Sequence, residues 1–326
     1  MKKLSFAALA GVLAMSMAAC GDSASSGDAE DYPAGDITMV VAYAAGGPTD
    51  LAGRAVAKQF EKDLGVSVVV ENLEGASGAV GSAKVINSKP DGLTLGTTTA
   101  SAISRVPTIE KVGFEAGDGT PIGVVTESPG VFFVKEDSPY KTFDDLLADA
   151  KKRPGKITVG AAGAQTPQAV ELLRMGTEYD TEFKLVPFQG DAPALTGLLG
   201  DNVDVIIPSY NEQVRAQHEA GKIRPLAVMG PDRKEYLGDT PTLAESGFDK
   251  LTYGISSFII IAPKDTPEAI VTKLEDSLET ALEDPATRKA AGELNVPAEF
   301  IGSEELQQKI DDEVKDLTPV LKQLFG

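Results

Sequence analysis

The sequence predicts an α/β protein built as two doubly wound lobes with a ligand cleft between them. Three observations carry this. Apolar strand patterns alternate with helical ones three times between Ile37 and Thr97, which implies a parallel sheet. The rhythm breaks over 117–139, where the short apolar runs Ile122–Val125 and Val131–Val134 flank Ser128-Pro129-Gly130 with no room for a helix. A second alternating run then fills 157–229. At 326 residues the chain also has the length of about two domains.

The N-terminus reads as a processing signal. Lys2 and Lys3 precede the apolar stretch Leu4 to Met17, the pattern of a signal peptide over 1–19. The stretch is too short and interrupted to read as a membrane span. It ends in Met17-Ala18-Ala19-Cys20, which resembles a bacterial lipobox with Met where Leu is usual. Cys20, the single cysteine, is therefore expected to carry a lipid. Residues 20–31, rich in Gly, Ser and Asp, read as a flexible tether. Losing the two lysines takes the net charge from −19 to −21. The expected location is extracytoplasmic, anchored to the membrane by lipid.

In the first lobe, Ile37–Ala45 reads as a strand and Thr49–Leu64 as a helix with Leu51, Ala55, Val56, Gln59 and Phe60 near one face. Val66–Val70 is a strand, the segment holding Ala79, Val80, Ala83, Val85 and Ile86 a helix, and Leu93–Thr97 a third strand after the turn Pro90-Asp91-Gly92. In the second lobe, Thr142 caps a helix to Ala150 with Asp144 and Asp145 in its first turn. Strands follow at Ile157–Gly160, Lys184–Phe188, Val203–Ile207 and Ile223–Met229. They alternate with helices at Gln168–Met175, Ala192–Leu199 and Glu212–Ala220. A polar connection, 231–247, leads to the apolar strand Phe258–Ile261. Three helical patterns, Pro267–Leu282, Pro285–Leu294 and Glu304–Leu324, are expected to return to the first lobe. The lobe limits read this way are 32–124 with 231–326 for the discontinuous first lobe, and 125–230 for the second.

One stretch organises the first lobe. Val40 to Tyr43 leaves a strand, Ala44-Ala45-Gly46-Gly47 turns, and Pro48-Thr49-Asp50 starts a helix. Glycines remove side chains that would block a ligand, and a helix start offers free N–H groups and the positive end of a dipole. Such a turn can hold an anion without Lys or Arg; it is also what an ordinary capped strand–helix turn looks like.

Chemistry of other kinds finds no support. A net charge of −19 argues against nucleic acid, which needs clustered Lys and Arg. One His and one Cys exclude zinc clusters. His218 lies in the polar helix Glu212–Ala220 and reads as a solvated surface residue. No G-x-S-x-G elbow, phosphate loop or dinucleotide fingerprint is present, since Gly75 to Gly81 is G-x-x-G-x-x-G. No cofactor and no metal are expected, and binding without covalent chemistry is left.

Read together, the motifs resemble the substrate-binding proteins of tripartite tricarboxylate transporters, the Bug or TctC family. The resemblance rests on Ile37 to Val41 with Ala44 to Asp50, Val68 to Asn72, Gly75 to Gly81 and Pro90 to Leu95. It continues through Pro154-Gly155-Lys156, Gly190 to Leu195, Gly221 to Val228, Pro241 to Gly247 and Ala262-Pro263. It implies a type II periplasmic-binding fold whose lobes are joined by a two-crossing hinge. It further implies a small di- or tricarboxylate held between two strand–helix loops, membrane permease subunits as partners, and a monomer. The first loop would be Tyr43 to Asp50, with Tyr43, Ala45, Gly46, Gly47, Thr49 and Asp50 at the ligand. The second would be Gly160 to Thr166, with Ala161, Ala162, Gln165 and Thr166. Thr98 from the threonine run after the third strand, and Ser209, complete the expected set. The second loop departs from the family, with Ala161 where Ser is usual and Gln165-Thr166 in place of a Gly-Ser-like pair; these changes bear on the far end of the ligand. A ligand sensor for a membrane signalling partner shares the same features, and a secreted hydrolase on the same lobes lacks a nucleophile–base pair.

Overall fold

The computed structural model describes residues 32–326. The expected signal peptide, Cys20 and the whole of the tether lie outside the described residues.

The first lobe opens with β1 (Ile37–Val41), α1 (Pro48–Leu64), β2 (Val68–Asn72), α2 (Ala79–Ile86) and β3 (Thr94–Thr99). β1 pairs in parallel with both β2 and β3, as three successive strand–helix units require. Two short helices, α3 (Ala100–Ser104) and α4 (Val106–Ile109), follow where the sequence suggested none. They are too short to show an apolar period. Thr99 caps α3 by accepting from Ala102 N–H.

The two short strands expected over 122–134 are one 16-residue strand, β4 (Thr120–Lys135). Ser128-Pro129-Gly130 looked like a turn because Pro and Gly usually punctuate. In fact the strand changes partner there. Thr120 to Pro129 pair with β9 (Ile255–Ala262), and Gly130 onward pairs with β8 (Ile223–Met229). β4 is thus the first connection between the lobes.

The second lobe contains α5 (Phe143–Lys152), β5 (Thr158–Ala161), α6 (Pro167–Tyr179), β6 (Lys184–Pro187), α7 (Asp191–Leu199), β7 (Val205–Ile206), α8 (Glu212–Glu219) and β8. A capping box between Thr142 and Asp145 starts α5. β5 pairs in parallel with β6 and β7. The nine strands run β2-β1-β3-β9-β4-β7-β5-β6, with β8 on β4. One continuous ladder therefore serves two half-sheets, each with its own core.

The cores place the second crossing later than the sequence suggested. Leu237 packs with Phe133 and Ile206, and Leu243, Phe248 and Leu251 pack with Phe132, Leu146 and Val159. Residues 231–251 therefore cover the second lobe, although they were read with the first. The segment lacks a periodic pattern, and only burial of these four side chains assigns it. The chain returns through Tyr253 to Ser256 into β9. Then α9 (Glu268–Glu283), α10 (Pro285–Ala291) and α11 (Ser303–Phe325) follow. Ile270, Leu274 and Leu278 pack on Ile37, Val56 and Phe60, and Leu306 and Ile310 pack on Val40 and Ile103. The last turns of α11 reach further. Leu317 and Leu321 bury against Val170 of α6, which belongs to the other lobe.

Candidate ligand-binding cleft

The first loop is shaped by polar bonds rather than by packing. Gly46 adopts φ +81°, a conformation costly for other residues, and its N–H donates to Asp50 Oδ2 at 2.9 Å. Arg54 Nε donates to the same oxygen at 2.9 Å, and Asn72 Nδ2 donates to Asp50 Oδ1 at 2.9 Å. Asn72 Nδ2 also reaches the Tyr43 carbonyl at 3.0 Å. Burial opposes the charge on Asp50, but the bonds from Arg54, Gly46 and Asn72 outweigh it and hold the pKa at about 2. Asp50 was expected at the ligand; the structure gives it another task. Both of its oxygens are occupied, and an ionised carboxylate does not hold a second one. It pins the turn so that Gly47 and the first turn of α1 face outward.

That first turn is open. Gly47 is the N-cap of α1, at φ −81° and ψ 171°, and no side chain caps the helix. Ala44, Ala45 and Gly46 are exposed, and a Cβ placed on Gly47 would meet only the Ala44 carbonyl at 3.5 Å. Pro48 has no N–H and the Gly47 N–H donates to the Ala44 carbonyl at 3.4 Å, which leaves the N–H groups of Thr49 and Asp50 without intrahelical partners. Thr49 is buried beneath them.

Tyr43 closes one side. Its hydroxyl donates to the Ser77 carbonyl at 2.8 Å and shares a 2.8 Å bond with Thr99 Oγ1. Burial pushes the phenol up to about 12, against a smaller opposing effect from Thr99, so the group stays a neutral donor. Thr98, expected at the ligand, points the other way. Its hydroxyl lies 2.8 Å from Ser82 Oγ, under α2, and is nearly inaccessible. Strand alternation carries the signal that would have found this, because Thr97 and Thr99 share the face opposite Thr98.

The second loop leaves β5 at Ala161 and enters α6 through Thr166, whose Oγ1 accepts from Ala169 N–H at 3.3 Å. Ala162, Gly163, Ala164 and Gln165 are all half-buried, and Ala161 is buried. Two residues past the cap, Gln168 is buried and sends Nε2 to Ser209 Oγ at 3.2 Å and to Ser256 Oγ at 3.1 Å. Ser209 was expected here; Gln168 and Ser256 were not, because nothing local in the sequence marks a partner 88 residues away.

The two loops meet through β9. Thr99 sits opposite Phe258, and Ser256 lies two residues earlier, roughly 7 Å along the strand. Tyr43 is thus tied to one point of β9 and the start of α6 to a point close by.

Asp191 lies beside Ser209. Burial raises its carboxyl to about 6, against the Ser209 N–H and the Asn211 amide, the latter donating at 3.1 Å. Its Oδ1 is buried without a partner. His218 is no solvated surface residue. It is half-buried, packs on Phe133 and Tyr210 with ring centroids 5.8 and 6.0 Å away, and has its pKa lowered by burial. A cavity of about 310 Å³ opens on the α11 side of the crossing, lined among others by Ser101, Arg105, Glu127, Tyr253, Ile255 and Lys309. Neither loop lines it, so its volume says nothing about the space above α1. Among the described residues no helix is long and apolar enough to cross a membrane, and no group of three or more His, Cys, Asp or Glu could hold a metal.

Comparison with known proteins matches residues 52–325 to the model of the tripartite tricarboxylate transporter family receptor. The chain is 30% identical to protein BugT of Bordetella pertussis, over 90% of this chain and 91% of that one. It superposes on a TctC solute-binding protein from Polaromonas with TM-score 0.77 and 29% identity, covering 90% and 99% of the two chains. MatC of Rhodopseudomonas palustris with bound malate gives TM-score 0.71 at 25% identity, covering 89% and 100%. Another R. palustris protein, with adipate, gives 0.74 at 28%, covering 90% and 98%. On this match and this fold, the chain belongs to the tripartite tricarboxylate transporter receptor family, a family of periplasmic solute-binding receptors.

Proposed function

We propose that this receptor captures a small dicarboxylate or tricarboxylate between its lobes, closes on it, and delivers it to the membrane subunits of a tripartite transporter. Lipid on Cys20 would anchor it to the cell membrane on the extracytoplasmic side. The observation that carries the reading is the start of α1, with no side-chain cap, beside the exposed residues Ala44, Ala45 and Gly46. A ligand carboxylate would accept from the N–H groups there, with Tyr43, Ala45, Gly46, Gly47 and Thr49 around it. Such a helix end favours an anion by about 0.3–1 kcal/mol in exposed settings, and more when buried by closure. Ala161, Ala162, Gln165, Thr166 and Ser209 would form the opposing wall and act on the rest of the ligand. Related structures with malate and adipate support the ligand class. Contacts to both lobes favour the closed state, so binding shifts the population toward it.

Thermal unfolding with candidate ligands tests this. Succinate, malate, adipate or citrate at 100-fold over Kd should stabilise the chain by about 2.7 kcal/mol. If a sugar, an amine or a metal ion raises the Tm and no organic acid does, the reading fails.

A further inference from the structure

We propose that Gln168 is the positioning residue that ties the second ligand loop to the crossing between the lobes and so sets their relative approach. The proposal rests on the ligand-capture reading for its effect on affinity, and on geometry alone for its effect on lobe position. Gln168 stands in the first turn of α6, two residues after Thr166. Its amide spans two elements: Ser209, in the loop after β7, and Ser256, on β9. Ser209 Oγ in turn donates to Ser256 Oγ at 3.3 Å, closing a three-membered polar ring. The ring sits against the other crossing as well. A Cβ on Gly130 would lie 2.3 Å from Gln168 Cγ, and Gly130 forms a bridge with Ser209. Gly130 N–H donates to the Gly254 carbonyl at 2.9 Å, joining the two connections at the same level.

The consequence follows from where the ring lies. Ser256 leads along β9 to Phe258, opposite Thr99, which holds Tyr43 of the first loop. Gln168 leads back along α6 to the second loop. The amide therefore joins the second loop, through Ser256, to the strand that pairs with the residue holding Tyr43. Any rotation of one lobe against the other changes the distance between α6 and Ser256, so the strength of this link biases the lobe angle. A buried amide with two hydroxyl partners costs more to leave unpaired than to keep paired, which gives the link a defined setting.

The test uses the full chain with Cys20 replaced by Ser and spin labels on Cys introduced at exposed Glu74 and Gln189, one on each lobe. Gln168→Met keeps the side-chain length and removes the bonds, Ser256→Ala removes the partner, and the double variant completes a cycle. The unliganded distance distribution should move away from the wild-type one in the same direction in each single variant, and in the double by less than the sum of the two, because the Gln168–Ser256 bond is lost in both. Malate or adipate, whichever binds wild type, should bind each single variant about tenfold more weakly, and the double by less than the product of the two losses. Unchanged distances, additive effects or tighter binding would overturn the proposal. If Gln168→Met does not fold, Ser256→Ala read with the same labels decides. If wild type binds no organic acid, the ligand-capture reading fails, and the unliganded distances still decide the role of Gln168.

Discussion

At the scale of single residues, two positions separate binding from folding. Gly47 has an ordinary extended backbone, and a Cβ on it would make only an ordinary contact with the Ala44 carbonyl at 3.5 Å. Gly47→Leu should therefore leave the Tm within about 2 °C of wild type, since a half-buried position with no clash costs little, yet block the first turn of α1. Isothermal titration with the best organic acid should show no heat. Retained affinity would remove this turn from the site. Asp191 makes the opposite kind of point. Its folded pKa, raised to about 6 by burial, lies above the unfolded value near 3.9. The folded state holds the extra proton between those values, so this contribution is full below about pH 4 and is lost as pH rises through 6. Asp191→Asn should raise the Tm by a few degrees at pH 7.5 and leave it unchanged near pH 4. Parallel Tm–pH curves for the two proteins would contradict the assignment.

At the scale of elements, α11 does more than complete the first lobe. Arg105, between α3 and α4, pairs through Nε with Glu313 of α11 in a buried ion pair, and its Nη2 donates to the Tyr253 carbonyl at 2.8 Å on the returning crossing. Ser104 Oγ adds a bond to Glu313 at 3.1 Å. One turn further along, Leu317 begins the contact with Val170 of α6. The helix therefore braces the crossing from the side. Removing one member of a buried pair leaves the other charge uncompensated, which costs about 3–5 kcal/mol. Glu313→Ala should lower the urea midpoint accordingly with an unchanged slope. A midpoint within error of wild type would show that the pair bears no weight.

At the scale of the whole molecule, net charge and ligand charge have the same sign. The chain carries −19, and the proposed ligand is an anion approaching backbone N–H groups rather than Lys or Arg. The overall field therefore repels the ligand and salt relieves that repulsion. Raising NaCl from about 20 to about 150 mM should increase the association rate for malate or adipate by roughly twofold. A site lined with lysine would lose rate over the same range, so stopped-flow measurements distinguish the two designs.

Much of this was legible in the chain. Strand–helix alternation gave the parallel part of each half-sheet, β1 with β2 and β3, and β5 with β6 and β7, because each strand–helix unit must bury its apolar face against its neighbours. The Gly46-Gly47-Pro48 turn marked an open helix start, since glycine and proline have local conformational consequences that sequence displays directly. Tertiary structure decided the rest. Ser128-Pro129-Gly130 is a change of strand partner and not a turn, because β8 and β9, far away in sequence, compete for the same strand. Thr99 and not Thr98 faces Tyr43, and Asp50 pins the turn, because Ser82, Asn72 and Arg54 take up those side chains. Gln168 became visible only when folding brought Ser209 and Ser256 to it. By itself the sequence determined the two-lobed architecture and the place of the first loop, both set by local pattern. Which side chains turn away from the first loop and where the chain changes from one core to the other were decided by pairings between distant residues, which no local pattern encodes.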